Sequence, residues 1–354
     1  MKVVVVGCGN MGSSHARAYH KLPGFELIGL VDSNKASSNS LATELGGIAE
    51  FTTIEEAFAQ VNPDAVAVCT YPDTHYEITK KCLEKGVHVF VEKPLASTVD
   101  DAKKLVALAQ KMRLKIVVGY ILRVHPAWAK FTEIAQSLGK PLVMRMNLNQ
   151  QSSGKEWQTH KKLMSSISPI VDCGVHYVDV MCQMTRSKPV RVQAIGARLS
   201  DEIDQEMYNY GQLQVAFADG SIGWYEAGWG PMMSQTAFFV KDVIGPKGCV
   251  SITEKQAEGA GDSSDIDSHT KTSALLLHKS TTDSNGQFTE KDELINTDDE
   301  PDHQELCNRE QAYFLRAITE NLDLTEHLDD AVNSLKIVLA ADESVRKKSI
   351  INIQ

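Results

Sequence analysis

The feature that most constrains this 354-residue chain is a glycine-rich turn near its start, Gly7-Cys8-Gly9-Asn10-Met11-Gly12. The turn lies between a short apolar run, Val3–Val6, and a helical pattern, Met11–Leu22. In a strand–turn–helix unit, the first glycine permits the tight turn and the second lets the backbone approach a pyrophosphate. The third lets helix and strand pack closely. The turn therefore predicts a dinucleotide site whose residues are Gly7, Gly9, Asn10, Met11 and Gly12.

Asp32 ends the next apolar run, 20 positions after Gly12. A carboxylate at this place accepts hydrogen bonds from the adenosine ribose and repels a 2′-phosphate, so we expect NAD to be favoured over NADP. The alternative is a solvated Asp at a strand end. Lys35, just beyond, leaves room for NADP.

Residues 1–119 alternate short β-branched runs with helical stretches, as strands buried on both faces of a parallel sheet do. The predicted strands are Val3–Val6, Leu27–Val31, Ala65–Cys69, Val87–Val91 and Ile116–Val118. The predicted helices are Met11–Leu22, Lys35–Leu45, Ile54–Gln60, His75–Lys85 and Val99–Met112. This rhythm predicts an α/β fold, with a doubly wound parallel sheet in a first domain of residues 1–120.

From residue 121 the pattern changes to alternating runs between helices, which predicts a second α/β domain, 121–354, with a mostly antiparallel sheet. Its predicted strands are Val190–Ala197, Gln212–Phe217, Ile222–Ala227, Ala237–Ile244 and Cys249–Ile252. Its predicted helices are Pro126–Leu138, Ile170–Met184, Gln304–Ile318 and Asp329–Arg346. Asp219-Gly220, between two of the strands, is a strong hairpin signal.

The charge is concentrated in one window. The 46 acidic and 36 basic residues give a formal charge of −10. Residues 254–302 hold 13 acidic residues, 4 lysines and no arginine, so they alone carry −9. We predict a solvated, loop-rich excursion there, with strand-like pieces at Ser273–Leu277 and Glu293–Ile295. The acidic balance disfavours a nucleic-acid partner.

No apolar run is long enough for a signal peptide or a membrane span, so we expect a soluble, cytoplasmic protein without a membrane partner. The seven cysteines are scattered and lack zinc-ligand spacing. They are interpreted as reduced structural thiols, and no metal is expected.

Two further motifs carry polar groups suited to chemistry. The run Val87–Pro94 predicts a buried strand that ends in Glu92-Lys93-Pro94, which places Lys93 at a ligand crevice. Pro94 restricts Lys93 to an extended conformation, and the bond between them has access to the cis form. Taken alone, such a lysine is more often a surface charge.

In the second motif, Asp172, His176 and Asp179 share one face of a predicted helix, at spacings of four and three. A histidine flanked by carboxylates is oriented and made more basic, which suits a general base. The alternative is a core histidine that neighbouring aspartates satisfy.

Together these residues resemble the Gfo/Idh/MocA oxidoreductase family over essentially the whole chain. The resemblance rests on four segments in family order and spacing: the Gly7–Gly12 turn, Thr70 to His75, Gly86–Pro94 and Asp172–Asp179. It implies an NAD-binding Rossmann domain followed by an α/β domain with an open antiparallel sheet. It also implies homodimers or homotetramers formed by sheet packing.

The resemblance further implies that Lys93 and His176 act on a substrate hydroxyl and that Asp172 holds substrate or tunes the histidine. Asp179 would stand behind them. The family positions expected at the cofactor are Thr70, His75, Glu92, Lys93 and Arg123. For His75 and Arg123 the alternatives are a helix-start histidine and a surface arginine.

The chain departs from the family pattern at two places. Ser166-Ile167-Ser168-Pro169 stands where many members are glycine-rich, and Pro72 follows Tyr71 rather than Thr70. Both segments border the family's pocket, so substrate preference does not carry over. Trp157, Lys161 and Lys162 are further substrate-binding candidates, and simple packing or solvation is the alternative for each.

The leading function is hydride transfer between NAD and a hydroxyl of a polyol, an inositol or a sugar. A second interpretation is an NAD-dependent glycosidase that uses transient oxidation and elimination. A third is a sensor of NAD and sugar without catalysis, which the joint presence of Lys93, Asp172 and His176 argues against.

Overall fold

The computed structural model describes residues 1–234, 240–253, 270, 272–297 and 300–353. The chain divides into two compact units. Unit 1 comprises Met1–Ile121 with Asp302–Val332, and unit 2 comprises Leu122–Pro301 with Asn333–Gln354. The first break lies one residue beyond the predicted boundary at 120. Residues 302–332, which we assigned to the second domain, belong instead to unit 1.

Unit 1 alternates strands and helices as predicted, with one additional two-residue strand, Glu50–Phe51, that the sequence pattern did not predict. Its first elements are β1 (Lys2–Val6), α1 (Asn10–Lys21), β2 (Glu26–Val31), α2 (Lys35–Glu44), β3 (Glu50–Phe51) and α3 (Ile54–Gln60). They are followed by β4 (Ala65–Val68), α4 (Pro72–Glu84), β5 (His88–Glu92), α5 (Val99–Met112) and β6 (Ile116–Gly119). The strands pair in parallel in the order β3-β2-β1-β4-β5-β6. This is the doubly wound order of a Rossmann fold, which confirms the predicted fold class.

Unit 2 follows a short 3-10 helix, Ile121–Val124, at the boundary. Its elements are α6 (Pro126–Ser137), β7 (Val143–Gln151), α7 (Gly154–Leu163), α8 (Pro169–Asp172), α9 (Gly174–Thr185), β8 (Pro189–Ala197), β9 (Tyr210–Phe217), β10 (Ile222–Gly230), β11 (Lys241–Gly245), β12 (Gly248–Thr253), β13 (Ala274–Lys279) and β14 (Glu293–Asn296). The chain ends with α10 (His303–Thr319), α11 (Thr325–Lys347) and β15 (Ile351–Asn352). Helix α10 lies in unit 1, and α11 runs across the second boundary.

The sheet of unit 2 has the order β14-β13-β12-β11-β7-β10-β9-β8-β15 among the described strands. All of these neighbours are antiparallel except β7 and β10. Alternate residues of the central strands are buried on the side where α6, α8 and α9 pack. This confirms the mostly antiparallel sheet predicted from the alternating runs.

Several local predictions concern unit 2. The hairpin at Asp219-Gly220 joins β9 to β10, and Gly220 has a φ of +86°, which glycine adopts without strain. The predicted helix Ile170–Met184 is divided at Cys173 into α8 and α9. The strand-like pieces of the acidic window are β13 and β14, whereas residues 254–269, 271 and 298–299 of that window lie outside the described residues.

Residues 302–332 belong to unit 1 because α10 packs against α1 and against Phe25, the residue before β2. Phe314 stacks on Phe25 with ring centroids 6.1 Å apart, and the Tyr19 hydroxyl donates a hydrogen bond to Gln311. Neither contact follows from sequence spacing, since about 290 residues separate the partners. Within the described part of the chain, no helix has both the length and the apolarity that crossing a bilayer requires.

Candidate functional site

The glycine turn of unit 1 is held by backbone contacts that exclude side chains. A Cβ at Gly12 would lie 1.7 Å from the Gly7 carbonyl oxygen, and a Cβ at Gly7 would lie 2.5 Å from the Cys69 carbonyl oxygen. Gly7 also has a φ of +91°, in the left-handed region that favours glycine. At Gly9, by contrast, an added Cβ would have no heavy atom of the described residues within 4 Å apart from its own chain neighbours. The turn is therefore closed on its protein side and open where a ligand would approach.

Helix α1 begins immediately after this turn with its backbone amides available. Gly9 provides no side-chain cap, and no acidic residue lies in the first turn of the helix. Such an N-terminus attracts a phosphate, because its N–H groups and the helix dipole both favour negative charge. Asn10 is exposed and Met11 is half-buried beside it.

Asp32 lies at the end of β2 and faces the turn. Its Oδ2 accepts a hydrogen bond from the Cys8 N–H at 2.7 Å, and its Oδ1 accepts one from the Asn34 N–H at 2.7 Å. Each carboxylate oxygen keeps a second lone pair for a ribose hydroxyl. The glycine turn, the open helix terminus and this carboxylate together fit an adenine dinucleotide.

Lys93 follows β5 and is half-buried, and its peptide bond to Pro94 is cis, the form that the sequence left open. The preceding Glu92 is only 6% exposed. Its Oε1 lies 2.8 Å from Nε2 of His15, and its Oε2 accepts the Lys93 N–H at 3.2 Å. Glu92 therefore anchors the end of the strand from inside unit 1, and the cofactor contact that we predicted for it stays a prediction.

The Glu92 contact continues into a buried polar network. Gln311 donates from Nε2 to Nδ1 of His15 at 2.8 Å, which leaves Nε2–H of His15 to donate to Glu92. Tyr19 donates to Oε1 of Gln311. The network joins α1, β5 and α10, and the sequence analysis singled out only Glu92 among its members.

Glu310 lies beside this network and is 4% exposed, and neither of its carboxyl oxygens has a hydrogen-bond partner among the described residues. Burial and the nearby charge of Glu92 raise the pKa of Glu310 well above its usual range. Glu310, His15 and Cys307 each bring a potential metal-ligand atom within 4.8 Å of the others. Both ring nitrogens of His15 are already hydrogen-bonded, so His15 has no free nitrogen to offer a metal ion in this arrangement.

His75 is fully buried and joins two loops of unit 1. Its Nδ1 lies 2.7 Å from the Pro94 carbonyl oxygen, and its Nε2 lies 3.0 Å from the Thr70 carbonyl oxygen. Burial lowers the pKa of His75, although both carbonyls favour the protonated ring. Its described contacts are thus structural, and they hold the Thr70 loop against the segment that follows Lys93.

In unit 2, Asp172 is the last residue of α8 and His176 lies in the first turn of α9. Asp172 is half-buried, whereas His176 is 8% exposed. Ser168 caps α8, accepting the Val171 N–H at 3.2 Å and donating to Asp342 at 2.7 Å. The segment that replaces the family's glycine-rich stretch is therefore tied to the last helix of the chain.

Asp179 is fully buried and pairs with Arg123. The guanidinium contacts both carboxylate oxygens, at 2.8 and 2.5 Å, and Gln183 donates a third hydrogen bond at 3.0 Å. Burial raises the pKa of Asp179, and the Arg123 charge opposes this. Arg123 is consequently a half-buried ion-pair partner and not the surface arginine of our alternative interpretation, and its predicted place at the cofactor stays a prediction.

Two predicted substrate residues are occupied within unit 2. Trp157 is 5% exposed, packs with Met164, Ile203 and Trp229, and donates from Nε1 to Glu202 at 3.0 Å. Lys161 pairs with the same carboxylate at 2.5 Å. Trp157 therefore offers no open face for a sugar ring, and packing, the alternative that we stated, accounts for it. Lys162 is exposed.

Two family models match the chain. Residues 1–120 match the model described as an oxidoreductase family with an NAD-binding Rossmann fold, and residues 134–250 match the C-terminal domain model of the Gfo/Idh/MocA proteins. The chain is also 29% identical over 205 residues to UDP-N-acetylglucosamine 3-dehydrogenase of Acidithiobacillus ferrooxidans. That alignment spans 58% of this chain and 61% of the relative.

Two further matches involve inositol. The chain is 27% identical over 265 residues to the NAD⁺-dependent scyllo-inositol 2-dehydrogenase of Bacillus subtilis, covering 71% of this chain and 73% of that enzyme. The solved structure of scyllo-inositol dehydrogenase from Lactobacillus casei with NAD(H) and scyllo-inositol superposes with a TM-score of 0.78. It is 20% identical, covers 99% of this chain and 98% of its own, and so shows the shared fold.

The glycines of the turn differ in what an added methyl group would contact. Gly12→Ala should lower the free energy of unfolding by about 3 kcal/mol, because the methyl group would overlap backbone. Gly9→Ala should leave stability within about 1 kcal/mol and weaken NAD binding at least tenfold, because its methyl group would occupy the open side. Urea unfolding and a fluorescence titration with NAD measure both quantities. NAD affinity equal to wild type in Gly9→Ala would contradict the placement of the pyrophosphate.

The raised pKa of Glu310 predicts a pH-dependent stability. The folded protein binds this proton more tightly than the unfolded chain, so the stabilisation is complete below the unfolded pKa of about 4.3 and declines as pH rises. Glu310→Gln has no proton to lose, so its Tm should gain on the wild type between pH 5 and pH 8. Thermal unfolding at several pH values tests this. Glu133→Gln, at a 70% exposed carboxylate, is the control, and a pH-independent Tm difference would refute the prediction.

Proposed function

The chain belongs to the Gfo/Idh/MocA family of oxidoreductases, and from this premise we propose that it transfers a hydride between NAD and a secondary hydroxyl of a polyol, an inositol or a sugar. The observation that carries the proposal is the unit 1 site, where the Gly9 opening, the free helix terminus and Asp32 fit the dinucleotide. The named relatives act on an inositol and on a nucleotide-linked sugar, so both substrate classes are candidates.

Bound NAD would accept the hydride from the carbinol carbon. The residues of the chain manage the proton and the charge. His176 removes the proton from the substrate hydroxyl, and the Lys93 ammonium donates a hydrogen bond to the same oxygen as negative charge develops there. These two roles follow from the family resemblance. Asp172, half-buried at the end of α8, binds a further hydroxyl or stabilises the protonated His176.

The buried contacts described above support this division of labour. Glu92 and His15 fix the backbone from which Lys93 extends, and Arg123 pairs with Asp179, which lies in the same helix, α9, as His176. An arginine and an aspartate that neutralise each other inside the protein hold their element in place without adding net charge. The reacting groups thus stand on rigid supports.

A panel of inositols, aldoses and sugar acids with NAD or NADP tests the function through the absorbance of the reduced nicotinamide. We expect turnover of at least one neutral polyol with NAD preferred. His176→Ala should then reduce kcat by about 10³-fold or more, because the general base is lost, while the affinity for NAD is unchanged.

The outcomes separate the alternatives. Near-normal turnover in His176→Ala would remove this residue as the base. Release of product from a glycoside without net NAD reduction would support the glycosidase interpretation, and NAD binding without turnover of any substrate would support a sensor.

We also propose that the protein forms homo-oligomers through the open face of the unit 2 sheet and acts in the cytoplasm. Strand register places Ile195, Ile222 and Ile244 on the face opposite the packed helices, where they are 64%, 49% and 40% exposed. A cavity of about 580 Å³ on this face is lined in part by Trp224 and Arg145. Apolar side chains of this size on one surface favour contact with a second copy.

A charge placed on that face should dissociate the oligomer. Ile222→Glu is expected to reduce the mass measured by light scattering to that of one chain, because association would bury a carboxylate. Met112→Glu, at a 40% exposed site on α5 of unit 1, should leave the mass unchanged. A monomeric wild type would contradict the proposal directly.

A further inference from the structure

Unit 2 contains a histidine, His160, that interacts with Asp172 and that no sequence motif indicated. His160 lies in α7, and its ring stacks on that of Trp229 with centroids 4.4 Å apart and planes 7° apart. Its Nδ1 lies 2.9 Å from the hydroxyl oxygen of Ser152, which is 1% exposed. The imidazole is therefore held both by its face and by one edge.

The other edge of the ring is open. Among the described residues no hydrogen-bond partner faces Nε2 of His160. This atom is not buried, so a ligand or solvent can reach it. The residue as a whole is half-buried. A ring nitrogen that is oriented by the protein and accessible to solvent is suited to bind a hydroxyl group of a ligand.

Contacts lead from His160 to the predicted catalytic motif. Trp229, under the imidazole, donates from Nε1 to Oε1 of Gln150 at 2.8 Å. The Cys173 sulfur lies 3.5 Å from the same Gln150 oxygen and 3.7 Å from Oδ2 of Asp172. The charge of Asp172 also acts on His160. A series of contacts within unit 2 therefore connects His160 with Asp172.

Two cations in this part of unit 2 have carboxylate partners within the unit. Burial lowers the pKa of His160 to about 4, so its ring is neutral at pH 7 even though Asp172 opposes the shift. Lys161 is paired with Glu202, and Arg123 is paired with Asp179. Asp172 is therefore close to a neutral histidine, while Lys161 and Arg123 already have carboxylate partners and Lys162 is exposed.

We propose that His160 is a substrate-binding residue that hydrogen-bonds a ring hydroxyl. His160 and Asp172 together then select an uncharged polyol or sugar over one that carries a carboxylate or a phosphate. The proposal rests on the proposed function and narrows its substrate class. An anionic group beside Asp172 would meet like charge, whereas a neutral hydroxyl satisfies both Asp172 and the open nitrogen.

Two variants separate binding from structural support. His160→Phe keeps an aromatic face for Trp229 but removes both ring nitrogens, so kcat/KM for the best polyol should fall about tenfold through a higher KM. Ser152→Ala removes only the internal hydrogen bond at Nδ1 and keeps the ligand-facing nitrogen, so its loss of kcat/KM should be clearly smaller than that of His160→Phe. NAD affinity should be equal in both variants and in the wild type. Equal losses in the two variants would show that His160 acts only as a support, which would overturn the proposal.

Substrate charge is tested with matched pairs, an aldose against its uronic acid and an inositol against its monophosphate. The wild type should prefer the neutral member at least tenfold in kcat/KM. A preference for the anionic member, particularly one lost in Lys162→Ala, would overturn the proposed selection.

Failure of this inference is distinguishable from failure of the proposed function. If the wild type oxidises a polyol and His160→Phe matches it, the function stands and the role of His160 does not. If the wild type neither oxidises nor binds any polyol, measured by calorimetry in the presence of NAD, both proposals are wrong.

Discussion

The close approach of α1 to strands β1 and β4 is the contact on which the organisation of unit 1 depends. It exists because Gly12 and Gly7 have no side chains, so the helix begins within van der Waals distance of the Gly7 and Cys69 carbonyls. The same approach carries His15 and Tyr19 into the interior, where they meet Glu92 and Gln311. The nucleotide turn and the support of Lys93 are thus two consequences of one packing arrangement.

Buried charge is managed differently in the two units. In unit 1, Glu92 receives a hydrogen bond from His15, while burial and the charge of Glu92 raise the pKa of Glu310 beside it. In unit 2, Asp179 remains beside the guanidinium of Arg123, which fixes α9. Both arrangements hold the elements that carry Lys93 and His176, and in both the charged groups are paired with other groups of the protein.

Sequence patterns were informative where the chemistry is local. The Gly7–Gly12 turn, Asp32 after β2 and the hairpin at Asp219-Gly220 are short segments whose backbone requirements are visible in the residues themselves. Glu92 and Trp157 were different, because their internal contacts are made with residues that are remote in the sequence. No local pattern predicts those contacts. His15 and His160 gave no signal that distinguished them from ordinary helical histidines, since their partners lie 77 and 69 positions away.

The sequence alone determined the alternation of strands and helices in the first domain and the glycine turn with Asp32 after it. It also determined the alternating apolar pattern of the second sheet and the motifs that indicate the family. These properties depend on neighbouring residues and on periodicity, which the chain displays directly. Only the tertiary structure decided that residues 302–332 return to unit 1, that Glu310 is buried beside Glu92, and that His160 lies close enough to Asp172 to interact with it. Burial and pairing of polar groups depend on long-range contacts, because the free energy of a charge is set by the groups that surround it in space.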